Sequence, residues 1–133
     1  MINLHDVKAG DTVLVEFEGN MREGHVLEVN REDKQVCVQT GEQEFWYDLD
    51  VLYAIPLNED QLLKLKFKKE EEISAAGNGN VYIRGPFSVK LYQFDGQPAT
   101  RLDYRDEHRD IRESITVNQL QNHYHEMTNF HLD

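Results

Sequence analysis

From residue 7 to residue 57 the chain alternates apolar and polar residues with a period of two, and turn-forming residues interrupt it every few positions. A helix needs a period near 3.6, so this rhythm restricts the first half to short strands. Val13, Val15 and Phe17 fall on one side of the first strand, and Thr12, Leu14, Glu16 and Glu18 on the other. "GHVLEVN", "QVCVQT" and "EFWYDL" follow, separated by turns at 19–20, at "REDK" and around Gly41. Four or five strands at this spacing predict a closed or nearly closed small barrel over residues 1–56, because a small open sheet leaves two edges and an uncovered face.

Residues 57–133 begin differently. Asn58 with Gln61 three positions later has the spacing of a helix cap, with acids after the cap and lysines at the far end, which predicts a short helix after Pro56. "KKEEEISAAGNGN" reads as a loop; it lacks the spacing and the Lys-Ser/Thr pair of a phosphate-binding loop. Period two then returns in "VYIRG", "FSVKLYQF", "ATRLDYR" and "DIRESI", with Asp-Gly at 95–96 marking a tight hairpin. Val81, Ile83, Val89, Leu91, Leu102, Tyr104, Ile111 and Ile115 are assigned to one face of this meander. The last helix is expected to cover that face: Thr116 and Gln119 have the cap spacing, and Val117, Leu120, Tyr124, Met127 and Phe130 recur every three or four residues. The expected fold is α+β and mostly β: a small barrel, a short helix, an antiparallel meander and a C-terminal helix.

Composition narrows function by exclusion. Of 133 residues 39% are apolar and 29% charged, which suits an ordered globular chain. The single cysteine, Cys37, rules out an internal disulfide and has no neighbouring partner for metal or redox chemistry. No signal-peptide pattern or membrane-length apolar run is present, so a cytoplasmic location is expected, with no membrane partner. The net charge of −11 is uneven: residues 1–56 hold twelve acids and four bases, residues 57–133 thirteen acids and ten bases. Phosphate backbones are repelled by the first half, so nucleic-acid binding would have to come from the second. His123 and His125, two apart on a helix, point about 200° away from each other and cannot share an ion. The acidic run "DYRDEHRD" lacks the ligand spacing of a calcium loop and reads as a solvated hairpin. No cofactor, metal site or catalytic motif is expected, and the three serines stand in no triad context.

Two surfaces remain as candidates. In "EFWYDL", alternation puts Phe45, Tyr47 and Leu49 on one face and leaves Trp46 with Glu44 and Asp48, an aromatic-plus-carboxylate surface suited to a basic side chain of a protein partner. The competing reading is that Trp46 packs against the second half, as large aromatics mostly contribute buried area. On the meander, the face away from the helix is expected to show Tyr82, Arg84, Lys90, Tyr92, Phe94, Arg101, Asp103, Arg105 and Arg112, an interleaving of rings and bases that suits single-stranded nucleic acid. There the alternative is burial against the barrel, the arginines pairing with acids of the first half.

The succession "VKAGDTVLV", "EGHVLEV" and an aromatic strand leading into "IPL" resembles the small barrels of the Src-homology, Tudor and KOW kind, although the first half offers only Lys8, Arg22, Arg31 and Lys34 where KOW-type barrels carry RNA-binding bases. The run from "IPLNEDQLLKLKF" to "VNQLQNHYHEMTNFHLD" resembles a group of small proteins of Bacteroides-type bacteria and their phages. The likeness is carried by Ile55, Pro56, Leu57, Leu62, Leu63, Leu65 and Phe67 and by Val117, Gln119, Leu120, Gln121, Asn122 and Tyr124. That resemblance implies a small accessory protein encoded by a prophage or mobile element and brings no activity with it. The function expected is a noncatalytic binding or adaptor protein acting on a protein partner. The alternatives are single-stranded nucleic-acid binding by the meander and an acidic inhibitor that mimics nucleic acid.

Overall fold

Five antiparallel strands form the first sheet in the order β4-β3-β2-β1-β5: β1 (Thr12–Phe17), β2 (Asn20–Asn30), β3 (Gln35–Thr40), β4 (Gln43–Asp48) and β5 (Leu52–Tyr53). The computed structural model describes residues 2–72 and 77–132. Val13 and Val15 lie on the same face as Val26, Val36 and Val38, and these valines pack with Ile2, Val7 and Leu52 into one apolar cluster. Each such side chain, fully buried, contributes roughly 1.5–3 kcal/mol. Gly24 lies in this layer, where a Cβ would run into Val38 and Thr40, so the close approach of β2 to β3 requires glycine. Register slips between Val26 and Glu28, a bulge that inserts Leu27 into β2. Among the described residues no ladder joins β4 to β5, so of the closed or nearly closed barrel that the strand spacing suggested, the closed form is not made.

The C-terminal helix α2 (Val117–Thr128) packs on β1 and on the 3-10 turn at Leu4–Asp6. Its N-terminus carries the capping box read from the sequence: Gln119 N–H donates to Thr116 Oγ1 (3.3 Å), and Thr116 N–H donates to Gln119 Oε1 (3.0 Å). The chain divides into two units, Met1–Ile55 with Thr116–Asp133, and Pro56–Ile115. The helix expected to cover the meander thus belongs with the first sheet. Its buried face is also more polar than the apolar stripe implied. Asn118 and Gln121 are fully buried beside Val117, Leu120 and Met127. Phe130 is 68% exposed, because Asn129 takes a left-handed conformation (φ 66°) and turns the chain out of the helix before it.

In the second unit, α1 (Glu59–Lys64) starts at Asn58, whose side chain accepts from Gln61 N–H (3.0 Å), and stops where Lys66 adopts φ 68°. A second antiparallel sheet follows in the order β10-β9-β8-β7-β6, from β6 (Lys68–Glu70), β7 (Asn80–Arg84), β8 (Phe87–Phe94), β9 (Gln97–Tyr104) and β10 (Glu107–Ile111). Asp95 and Gly96 both have positive φ, as the tight turn between β8 and β9 demands. Lys68–Glu70, read as loop from composition, is instead an edge strand on β7. The rest of that stretch includes residues 73–76, which lie outside the described residues.

Candidate functional site

Strand β4 presents the clearest surface. It is an edge strand, hydrogen-bonded to β3 on one side only among the described residues, and all but one of its residues are exposed. Trp46 lies opposite Cys37, and Glu44 and Asp48 lie opposite Gln39 and Gln35 on the same face. The sequence placed these three residues together, and the ladder agrees. Trp46 is 45% exposed. Cys37 beneath it is buried, and its thiol pKa is pushed up by burial and then by the negative charges of Glu44 and Glu28. Glu44 and Asp48 thus flank Trp46 on its own face of the strand.

The other face of β4 was missed. Phe45 and Tyr47, edge to face at 6.3 Å, lie on the side of the valine core, yet Phe45 is 52% exposed. With Phe17, itself 57% exposed, they line a shallow dent together with Val15, Arg22, Thr40 and Gln43. Alternation assigned Phe17 and Phe45 to the core correctly as to side. It could not show that the sheet stays open at its β4 edge and leaves both rings uncovered.

On the second sheet the register regroups the candidates. Tyr82 is paired with Val89, and Val89 with Leu102, so Tyr82 shares the apolar face and is fully buried. Its hydroxyl donates to Glu59 Oε1 (3.3 Å), and burial followed by the Glu59 charge raises its pKa. Arg84 lies on that face too and donates to the Leu65 carbonyl (3.2 Å) at the end of α1. Val81 and Ile83, expected in the core, take the opposite side, because β7 runs one residue out of phase with the assigned pattern. Arg105 is in the β9–β10 turn with φ 55°, its guanidinium 5.2 Å from the Tyr104 ring centre.

Lys90, Tyr92, Phe94, Arg101 and Asp103 do share one face. There Arg101 donates to Asp103 (3.1 Å) and Asp110 (3.4 Å), Tyr92 donates to Asp110 (3.1 Å), and His108 makes a close contact with Asp103. Burial works against ionising Asp103, but hydrogen bonds from Arg101 and His108 outweigh it and hold its pKa below the usual range. Lys90 lies 5.0 Å over the Tyr92 ring and Arg112 3.7 Å over Phe94. The arginine pairs expected with acids of the first half are thus made, for Arg101, inside its own sheet.

Among the described residues no group of three or more His, Cys, Asp or Glu is placed to hold a metal. His125 stacks on His131, ring centres 4.6 Å apart and planes within 7°. No helix among the described residues is long and apolar enough to cross a membrane. Comparison with known proteins returns no matching family model, no matching curated protein and no matching solved structure.

Proposed function

We propose that this chain is a noncatalytic protein-binding module that takes a basic side chain of its partner onto Trp46, between Glu44 and Asp48. The observation that carries this reading is the half-exposed indole on an edge strand with a carboxylate two residues to each side on the same face. A guanidinium or ammonium over an exposed ring gains about 0.5–1 kcal/mol, and more as water leaves. The flanking acids add long-range attraction that speeds encounter and weakens with salt. Trp46 is the sole tryptophan, so its fluorescence reports the site directly. Titration with a lysine- and arginine-rich peptide is expected to change that emission, with an affinity that falls as salt rises. Calorimetry on Glu44→Gln/Asp48→Asn and on Trp46→Ala is expected to show the affinity reduced several-fold or more. Unchanged affinity in those variants would exclude the surface.

Single-stranded nucleic-acid binding stands second, on the Lys90–Tyr92 and Arg112–Phe94 stacks. It is the weaker reading because Tyr82 is buried and Arg101 is neutralised by two carboxylates of its own sheet.

A further inference from the structure

Four strands close the two sheets, and they differ in what they offer to another chain. β5 has two residues. β6 is Lys-Lys-Glu, and β10 carries Glu107, His108, Arg109 and Asp110 in succession, so both are guarded by charge. β4 has six residues and sets two adjacent exposed aromatics, Phe45 and Trp46, on opposite faces of an edge that has no ladder partner on its outer side among the described residues. Its acids, Glu44 and Asp48, lie on one face only.

We infer that β4 binds its partner by strand addition, the occupant being an extended segment of another protein in which basic and apolar residues alternate. This rests on the reading of Trp46 given above and adds the partner's backbone shape and its second set of side chains. A strand laid along β4 sends successive side chains to opposite faces of the sheet. One set meets Trp46 flanked by Glu44 and Asp48 and must be basic. The other meets the dent lined by Phe17, Phe45 and Tyr47 and must be apolar. A second copy of this chain fits poorly. With β4 antiparallel to itself and centred on Trp46, Glu44 is set opposite Asp48 twice, and like charges directly opposed destabilise a ladder. The same acids that oppose self-pairing favour a basic strand.

The test uses the full chain and two synthetic peptides with the sequence Lys-Val-Lys-Leu-Lys-Val-Lys. One has an ordinary backbone; the other is N-methylated on the alternate residues whose N–H groups would face β4. The side chains are the same, so the comparison between the two peptides is made on the unaltered protein. The ordinary peptide is expected to bind, to slow amide exchange of β4 residues, and to weaken on Trp46→Ala and on Phe45→Ser. N-methylation is expected to cost about tenfold or more in affinity, as two or three backbone hydrogen bonds are lost. Equal binding of both peptides, still sensitive to Trp46→Ala, would overturn strand addition and leave side-chain capture on Trp46 standing. Failure of both to bind, or binding indifferent to Trp46→Ala, would overturn both readings. Slow β4 exchange without peptide, rising with protein concentration, would make the occupant a second copy and overturn the basic segment.

Discussion

Asp11 is a carboxylate buried by the fold. Only 1% of it reaches solvent, while the Lys8 ammonium and the Lys8 N–H (3.1 Å) both donate to its carboxylate. Burial raises its pKa by more than Lys8 and the nearby His131 lower it. The folded state therefore binds this proton more readily than the unfolded chain does. Its contribution to stability is greatest below about pH 4 and declines as pH rises to the elevated folded value. Asp11→Asn is expected to flatten the stability–pH curve on the alkaline side of pH 4, and Lys8→Met to steepen it. By leaving a buried carboxylate without its cation, Lys8→Met is expected to cost about 2–3 kcal/mol at pH 7.5 and less at pH 4. Urea unfolding from pH 4 to pH 8 measures both. Asp103 has the opposite sign: its pKa is depressed, so its contribution is lost as pH falls through the folded value, and the two effects separate. Lys66 gives a simpler case. It ends α1 with φ 68°, a conformation that L side chains pay for, so Lys66→Gly is expected to raise the urea midpoint by the equivalent of about 0.5–1 kcal/mol.

The elements were legible where local chemistry decides them, and not where tertiary contacts do. The caps at Asn58 and Thr116, the Asp95–Gly96 turn and the faces of β4 follow from neighbours within three residues, and each is present. The face of β7 does not follow. "NVYIR" has an apolar residue at three consecutive positions, so alternation alone leaves its phase undetermined, and the ladder to Val89 decides for Tyr82. For α2 the misleading signal was polarity. Asn118, Gln121 and Asn122 fall outside the apolar stripe read from the sequence, yet they satisfy backbone groups near both ends of the chain. Gln121 Oε1 accepts from Thr12 N–H (3.0 Å), and Gln121 Nε2 donates to Leu132 O (2.9 Å). Asn118 and Asn122 both donate to Asp6 O, at 3.2 and 2.8 Å. A buried amide with backbone partners costs little, whereas its removal orphans them. Gln121→Leu, though more apolar, is therefore expected to destabilise by about 2–3 kcal/mol, against about 1 kcal/mol for Asn122→Ala. Equal midpoints for Gln121→Leu and the parent chain would show that water replaces the lost bonds.

For the whole chain, the decisive feature is that the second unit is inserted into the first. The chain leaves the first unit after Ile55 and re-enters it at Thr116, and Val117 N–H donates to Ile55 O (2.7 Å) across the cut. Leu57 N–H donates to Ile115 O (3.1 Å) in the same way at the two ends of the inserted unit. Each unit thus has its ends within one hydrogen bond of each other, the geometry in which insertion and excision are tolerated. The sequence hid this because strand and helix signals are local, whereas the return of Gln121 to Thr12, 109 residues earlier, is not. Fragments cut at residue 56 would divide the first unit and take α2 from β1, with the amide bonds to residues 6, 10 and 12 that Asn118, Gln121 and Asn122 supply. Residues 1–55 alone are therefore expected to be poorly folded. A chain in which Ile55 is joined to Thr116 through two glycines is expected to fold, with dispersed amide resonances and a cooperative melt. Since Trp46, Phe45 and Phe17 all lie in that unit, the excised chain should bind the alternating basic peptide within about threefold of the full-length affinity, a difference of less than 1 kcal/mol. A folded excised chain that has lost the peptide would show that the inserted unit takes part in binding, and the partner would then have to contact both.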